Sequence, residues 1–136
     1  MTLEETLAEK LAAFRRRALV RDLYDLAWFS QGALNTELVR RLTYLKVFID
    51  VVEDDLGSRP FDPRQDILKP RKPADFGPED IGLLTAKVDL RTWLDTVEAR
   101  FQFLTTPTEE EGKWAACNPR DAHGVHGVIS DLSKGE

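Results

Sequence analysis

The amino-terminal region of the sequence carries charged residues whose types and spacing are suited to binding phosphate groups. Arg15, Arg16 and Arg17 are consecutive, and such a cluster of guanidinium groups can face the phosphates of RNA. The same three residues can also form a solvated helix end that is stabilised by the helix dipole. The sequence leaves both interpretations open.

A second group of charged residues surrounds this arginine cluster. Asp22 and Asp25 are spaced three apart, which places both carboxylates on one face of a helix. Arg21 lies four residues before Asp25 and can form an ordinary intrahelical ion pair with it, worth only about 0.2–0.5 kcal/mol when exposed. Lys10 has a compact point charge that is suited to phosphate. A lysine beside an apolar stripe, however, commonly lays its stem over that stripe and reaches water, so binding and structural roles both stay open.

Two predicted helices would hold these residues. Thr2 and Glu5 have the spacing of a capping box, and an apolar stripe continues to about Arg17, so a first helix should span this segment. A second helix should begin at about Val20 and stop before Gly32, a common signal for a helix end. The second helix is so apolar that we expect other parts of the protein to cover much of its surface. The stripe of the first helix consists of Leu3, Leu7, Leu11 and Phe14.

The whole sequence predicts a mainly α, bundle-like domain of about four to six helices that spans residues 1–136. Asn35 or Thr36 can cap a third helix that should reach Leu56, because apolar residues keep helical spacing over this segment. Residues 57–78 contain most of the seven prolines of the chain and should form a long Pro-rich loop. No apolar alternation is long enough to build a sheet.

Further helices are predicted after the Pro-rich loop. Pro78 can occupy the first position of an amphipathic helix that ends before Pro107. Thr108 and Glu111 again have capping-box spacing, but glycine, asparagine and proline follow closely, so this helix should be short. A last, weak helical segment lies between residues 120 and 132, where two glycines disfavour a helix.

Two motifs at the start of the chain resemble a known family when they are taken together. Ala8-Glu9-Lys10-Leu11 lies on the first predicted helix, Arg15-Arg16-Arg17 at its end, and Arg21-Asp22-Leu23-Tyr24-Asp25-Leu26 on the second. This ordered pair resembles the segment of AbiEii/AbiGii-like nucleotidyltransferases in which a helix with AEKL and trailing arginines precedes a helix with RDLYDL. These proteins are toxins of abortive-infection and type IV toxin–antitoxin systems. A looser likeness continues to about Leu104, so the resemblance covers most of the chain.

The resemblance implies a nucleotide-binding cleft to which these motifs contribute. It places Lys10 near the phosphates of a nucleoside triphosphate and Asp22 towards the catalytic pocket, and it implies a catalytic role for both. Arg16 is the favoured nucleotide-binding arginine, with Arg17 as a second candidate. The residues expected to support this site are Arg21 and Asp25.

The amino-terminal half of the resembled family carries the motifs that hold metal ions and the triphosphate. These are a Gly-Ser or Gly-Gly-Thr turn and an Asp-x-Asp motif on a strand. The sequence has no Asp-x-Asp motif, and its Gly-Ser pair at positions 57 and 58 follows a predicted helix and not a strand. Because phosphoryl transfer depends on metal ions that bridge phosphate oxygens, we expect this chain alone to be inactive. Mg²⁺ and a nucleoside triphosphate are therefore cofactors that the resemblance alone implies, and no metal ligand is assigned to this chain.

Composition and cysteine usage bear on compartment and on other kinds of site. The net charge of −5 argues against binding nucleic acid by overall charge, although a local basic patch remains compatible with RNA. A single cysteine, Cys117, together with the lack of a signal peptide or a long apolar run, predicts a cytoplasmic protein without membrane contact. His123 and His126 lie near Cys117 but lack the spacing of a structural zinc site.

The large aromatic residues allow two interpretations. They could stack on bases, but they lie on apolar helical faces, which favours packing in the core. These residues are Trp28, Trp93, Trp114, Tyr24 and Tyr44.

Three functional hypotheses follow from the sequence. The first is a helical portion of a nucleotidyltransferase toxin in phage defence, completed by an amino-terminal half and acting on an acceptor such as tRNA. The second is a non-enzymatic helical module that binds an upstream polypeptide or an antitoxin, or self-associates, through an apolar patch with Leu23, Leu26 and Trp28. The third is a degraded gene fragment with no function.

Overall fold

Helices make up the part of the chain that the structure, a computed structural model, describes: residues 2–17, 20–57, 60–69 and 87–134. These ranges contain seven α-helices and no β-strand, which confirms the predicted mainly α fold. The α-helices are α1 (Leu3–Arg17), α2 (Val20–Phe29), α3 (Thr36–Val52), α4 (Pro63–Asp66), α5 (Lys87–Arg100), α6 (Glu109–Ala115) and α7 (Ala122–Lys134). Two 3₁₀ helices, Gln102–Thr105 and Pro119–Asp121, precede α6 and α7.

The first helix begins where the capping signal predicts. The hydroxyl of Thr2 accepts a hydrogen bond from the backbone N–H of Glu5 at 3.1 Å, which satisfies one of the free amides of the first turn. The predicted apolar stripe is buried from Leu7 to Phe14 and packs α1 against α2 and α3. The same packing determines which way the charged residues at the end of α1 point.

The second helix is shorter than predicted and differently exposed. It ends at Phe29, and the backbone N–H of Ser30 still bonds to the carbonyl of Leu26 at 3.1 Å. Leu23 and Leu26 are completely buried, so the prediction that they form part of an exposed apolar patch is wrong. They are covered because α5 and α1 pack on this side of α2. Only Trp28 of that predicted patch is exposed.

The third helix starts as expected and ends four residues early. The Asn35 side chain accepts a hydrogen bond from the N–H of Leu38 at 3.2 Å. After Val52, the chain turns through Asp55, whose φ of 55° is left-handed, and so it cannot continue the helix to Leu56.

The predicted Pro-rich loop contains a short helix that the sequence did not indicate. Helix α4 is a single turn capped by Asp62, whose side chain accepts from the N–H of Arg64 at 3.1 Å. The N–H of Phe61 donates to the carbonyl of Ala115 at 2.7 Å, which ties this segment to the end of α6. The rest of the loop and the predicted helix start at Pro78 fall largely outside the described residues.

The carboxy-terminal helices show one confirmed prediction and one underestimate. Thr108 and Glu111 form a complete capping box at the start of α6. The last segment forms the α-helix α7 from Ala122 to Lys134 although it contains Gly124 and Gly127. Burial of Val125 and half-burial of the apolar residues that follow it outweigh the low helix propensity of the glycines. None of the described helices combines the length and apolar character that crossing a bilayer requires.

Two of the buried polar side chains, Tyr44 and Glu111, join distant segments of the chain. The buried hydroxyl of Tyr44 donates to the carbonyl of Leu104 at 2.7 Å, and burial raises the pKa of this phenol to about 12. The buried carboxylate of Glu111 accepts from Arg40 at 2.5 Å in addition to its capping bond. Tyr44 and Trp114 are buried, which confirms the predicted core packing for these two aromatic residues. Tyr24 and Trp28 are exposed, so the prediction is wrong for them.

Candidate functional site

Helices α1 and α2 bring four charged side chains into contact, and we call Lys10, Arg17, Asp22 and Asp25 the charged cluster. The ammonium of Lys10 lies 2.9 Å from Oδ2 of Asp25 and 4.0 Å from Oδ1 of Asp22. The guanidinium of Arg17 donates to both oxygens of Asp22, from Nε at 3.1 Å and from Nη2 at 3.4 Å. Asp22 therefore joins the two cations.

Helical spacing explains why these residues meet. Lys10 and Arg17 are seven residues apart on α1, about two turns, so they project from one face. Asp22 and Asp25 are three apart on α2 and also share a face. Because α2 begins three residues after α1 ends and packs against it, the two faces oppose each other.

The carboxylate of Asp22 is the buried member of the charged cluster and lies beneath the two cations. Asp22 is completely inaccessible to solvent, and a buried carboxylate is tolerated only when it is paired and hydrogen-bonded. The side chains of Lys10 and Arg17 keep 33% and 46% of their surface exposed. The accessible part of the cluster thus consists of two cations and the partly exposed Asp25. Such cations, fixed from below, are suited to binding an anion from outside.

The remaining arginines of the triplet lie outside the charged cluster. Arg16 points to α3, where its Nε is 3.5 Å from Asp50. Burial raises the pKa of the Asp50 carboxyl, and Arg16 lowers it in part. Arg15 donates to Asp66 at 3.0 Å. Consecutive residues on a helix point about 100° apart, so the triplet forms neither one phosphate-facing patch nor a purely solvated end. Arg17 is the arginine beside Asp22, whereas Arg16 was the favoured one.

Arg21 does not make the intrahelical pair that its spacing permits. Arg21 and Asp25 both lie in described parts of the chain, and no ion pair joins them there. Asp25 instead meets Lys10 of the neighbouring helix, and Arg21 is exposed. The ammonium of Lys10 does not reach water alone, because it contacts the carboxylates of Asp22 and Asp25.

A metal ion does not fit the described residues. They contain no group of three or more histidine, cysteine or acidic side chains that is arranged to hold one. Both carboxylates of the charged cluster already engage cations. Cys117 is buried, and His126 pairs with Glu53, the residue that follows α3. The charged cluster therefore fits phosphate oxygens, which seek cations, and does not fit Mg²⁺, which seeks several carboxylate or carbonyl oxygens.

An exposed aromatic pair lies on the same helix as Asp22 and Asp25. Tyr24 and Trp28 are 43% and 58% exposed, and their rings lie 6.4 Å apart at an angle of 13°. Tyr24 also contacts Trp93 of α5. These two rings pack edge to face, with their centres 5.0 Å apart. The signal in the sequence is the i, i+4 spacing of the two aromatics on the side of α2 that carries Arg21 and Asp25. Because α2 is apolar over most of its length, the sequence favours core packing for this pair.

An apolar cleft of about 410 Å³ lies on another side of the molecule, between α1, α3 and α7. Its lining combines aliphatic residues with three acidic residues and with Lys46 and His126. The aliphatic residues are Ala8, Leu42, Leu45, Ile49, Ile129 and Leu132, and the acidic residues are Glu5, Glu9 and Glu53.

Comparisons with known proteins agree with the motif resemblance. A family model described as nucleotidyl transferase AbiEii toxin, type IV TA system, matches residues 1–115. The solved structure of MenT4, a nucleotidyltransferase toxin from Mycobacterium tuberculosis H37Rv, is 45% identical and superposes on 95% of this chain with a TM-score of 0.88. This chain spans only 44% of the MenT4 chain, less than half of its length. None of the curated protein sequences matches the chain.

Proposed function

This chain belongs to the AbiEii family of nucleotidyl transferase toxins of type IV toxin–antitoxin systems, and from this premise we propose that its helices form one wall of a nucleotide-binding cleft. Lys10 and Arg17 contact the phosphates of a nucleoside triphosphate. Asp22 holds both cations in position from beneath, and Asp25 keeps Lys10 oriented towards the cleft. Arg21 extends the positive charge along α2.

One observation carries this proposal: two partly exposed cations converge on one completely buried carboxylate. An ordinary surface ion pair joins two exposed side chains and contributes little to stability. The carboxylate of Asp22 is instead buried, and it holds two cations. Fixing two cations before the ligand arrives lowers the entropy lost on binding and favours an anion with several oxygens. The convergence therefore supports a phosphate site more strongly than a merely structural ion pair.

Other parts of the reaction would be supplied from outside the described residues. Phosphoryl transfer requires a metal ion to neutralise phosphate charge, and the ligands for it would come from the part of such a toxin that this chain does not span. We propose an RNA acceptor for the transferred nucleotide and an antitoxin as the regulatory partner. Both proposals rest on family membership.

Replacing Lys10 tests the proposed phosphate contact. Lys10→Met keeps the length and apolar stem of the side chain and removes the charge. Because one charge-assisted hydrogen bond contributes about 1.5–3 kcal/mol, the affinity for a nucleoside triphosphate should fall by about tenfold to 150-fold. Isothermal titration calorimetry with the triphosphate measures this change.

A second lysine provides a matched control for Lys10. Lys46 of α3 also pairs with a carboxylate, Glu9, at 2.9 Å and is comparably exposed, but it lies outside the charged cluster. Lys46→Met should leave triphosphate affinity unchanged. Equal losses in both variants, or no triphosphate binding by the unaltered chain, would contradict the proposal.

The apolar cleft between α1, α3 and α7 favours a second candidate function, a helical interaction module without catalytic activity. Its aliphatic lining could receive apolar side chains of an antitoxin, an upstream polypeptide or a second copy. Light scattering distinguishes self-association, because a monomer at high concentration would count against the second copy. An Ile49→Glu variant that loses binding to a candidate antitoxin would support the module.

A further inference from the structure

We propose that Tyr24 and Trp28 form a stacking surface for a nucleobase whose phosphates are held by the charged cluster. The inference rests on the proposed function, because it assigns the position of the base that accompanies those phosphates. The base belongs either to a nucleoside triphosphate or to the end of a single-stranded RNA, and both carry the same flat ring next to phosphate.

The aromatic pair is continuous with the charged cluster along α2. Tyr24 and Trp28 are four residues apart, and Trp28 is three residues after Asp25. Residues at these spacings are direct neighbours on a helix surface. Asp25 in turn contacts Lys10 at 2.9 Å. A ligand whose phosphate lies at Lys10 therefore meets the aromatic pair as the next surface on the helix.

The two rings are oriented so that one flat ligand can lie parallel to both. The angle between their planes is only 13°. Tyr24 is also held from the side, because Trp93 packs against it at an angle of 72°. A ring that is already immobilised loses less conformational entropy when a base stacks on it. The arrangement therefore has the pre-orientation of a binding surface.

The exposure and surroundings of the pair favour a base over an aliphatic side chain. Trp28 is the most exposed of the large apolar side chains that α2 carries, and Arg21 stands on the same face. Every base offers a flat π face to an aromatic ring, and an arginine nearby adds attraction to the phosphate or to the base itself. Three residues along the chain from Trp28, Gln31 belongs to an open, shallow surface of mixed polarity that also carries Thr96, Arg100 and the carboxylate of Asp95. This surface offers hydrogen-bonding groups for a sugar.

Replacing Trp28 tests the stacking surface with two base-containing probes, a nucleoside triphosphate and a short single-stranded RNA. Trp28→Ala should weaken binding of at least one probe by about fivefold to 150-fold, the range expected for one stacked base. Trp28→Phe should restore most of the affinity, because a smaller ring still stacks. Loss for the triphosphate alone identifies the donor base, and loss for RNA alone identifies the acceptor. Unchanged affinity for both probes would overturn the proposal.

Two controls separate stacking from other causes. Leu56 is an exposed apolar residue away from α2, so Leu56→Ala should change neither affinity. Light scattering shows whether the aromatic pair is instead a protein contact. If the unaltered chain self-associates and Trp28→Ala makes it monomeric, the surface is an interface between copies and the inference fails. Circular dichroism checks that Trp28→Ala folds, as its exposure predicts.

Inorganic tripolyphosphate distinguishes failure of this inference from failure of the proposed function. It carries phosphates without a base, so Lys10→Met should weaken its binding and Trp28→Ala should not. If Lys10→Met weakens tripolyphosphate binding but Trp28→Ala leaves the affinity for both base-containing probes unchanged, the phosphate site is supported and the stacking surface is contradicted. Independence from Lys10 would remove the proposed function itself.

Discussion

Asp22 determines how the neighbouring cations are arranged. The spacing to Asp25 predicted a shared helix face, but it did not predict that Asp22 would be buried while Asp25 stays partly exposed. The difference arises because Asp22 shares a side of α2 with the completely buried Leu26, four residues on, whereas Asp25 lies three residues before the exposed Trp28. Periodicity indicates which residues share a face, whereas depth depends on the neighbouring helix.

Removing the charge of Asp22 should destabilise the fold. Asp22→Asn keeps the shape of the side chain but weakens its two bonds with Arg17 in a buried position, so the free energy of unfolding should fall by about 1–3 kcal/mol. The matched change Asp25→Asn removes a more exposed pair and should cost less than about 1 kcal/mol. Urea unfolding followed by circular dichroism measures both. Equal costs would contradict the burial-based explanation.

The choice between Arg16 and Arg17 illustrates what a sequence motif leaves undetermined. Both follow the lysine motif at similar distances, so spacing alone could not separate them. In the structure Arg17 reaches Asp22, while Arg16 reaches Asp50 of α3. The partner on α3 lies more than thirty residues away in the chain, and local periodicity contains no information about it.

At the scale of elements, helix starts were predicted better than helix ends. The caps at Thr2, Asn35 and Thr108 all form, because a capping side chain and the amide that it satisfies are close in sequence. Helix α3 stops early because the chain takes a left-handed conformation at Asp55, which is not a typical stop residue. Helix α7 forms throughout because its apolar side finds tertiary contacts that propensity does not include.

Two glycines should respond oppositely to substitution by alanine. Gly127 lies within α7, and a Cβ added there meets nothing within 4 Å, so Gly127→Ala should stabilise the protein by about 0.5–1 kcal/mol. Gly57 has a φ of +97°, and an added Cβ would lie 2.5 Å from Nη1 of Arg15. Gly57→Ala should therefore destabilise it by about 1–3 kcal/mol.

Thermal and urea unfolding of these two variants would check both the sign and the size of the effects. A destabilising Gly127→Ala would mean that α7 does not behave as a regular helix in solution. A neutral Gly57→Ala would mean that the turn after α3 can relax at little cost.

At the scale of the whole molecule, Tyr44 connects distant parts of the chain. It lies on α3, its hydroxyl bonds to Leu104, and its ring meets Phe61 edge-on with the ring centres 4.9 Å apart. Its pKa of about 12 results first from burial and then from the nearby carboxylate of Glu111, against the ordinary value of 10.0. Ionisation of the Tyr44 phenol therefore lowers the free energy of unfolding of the protein.

The stability of the protein should fall at alkaline pH through Tyr44. The folded pKa lies above the unfolded one, so the contribution of Tyr44 is complete below pH 10 and is lost as the pH rises through about 12. The slope cannot exceed about 1.4 kcal/mol per pH unit for one group. Tyr44→Phe has no titrating phenol, so the difference between the two unfolding free energies should narrow over this interval. A constant difference would contradict the assigned pKa.

The family and fold class could be predicted from the chain, and the exposed surfaces could not. The AEKL and RDLYDL motifs sufficed for the family because their order is specific, and the family model then matches residues 1–115. The aromatic pair of α2 was assigned to the core because an apolar helix is normally covered on most sides. Which side remains uncovered depends on how α1 and α5 pack, and this is a property of the assembled molecule.

The contact between Lys10 and Asp25 means that an incoming anion must compete with a carboxylate that is already in place. A chloride ion or a simple carboxylate brings a single negative charge and gains little by the exchange. A triphosphate brings several charges and contacts Arg17 as well, so it gains enough to bind Lys10 beside Asp25, because an ammonium has three hydrogen-bond donors. If Lys10 binds phosphate as proposed, its ion pair with Asp25 selects for highly charged anions. The abundant small anions of the cell, which carry one charge, then do not occupy the site.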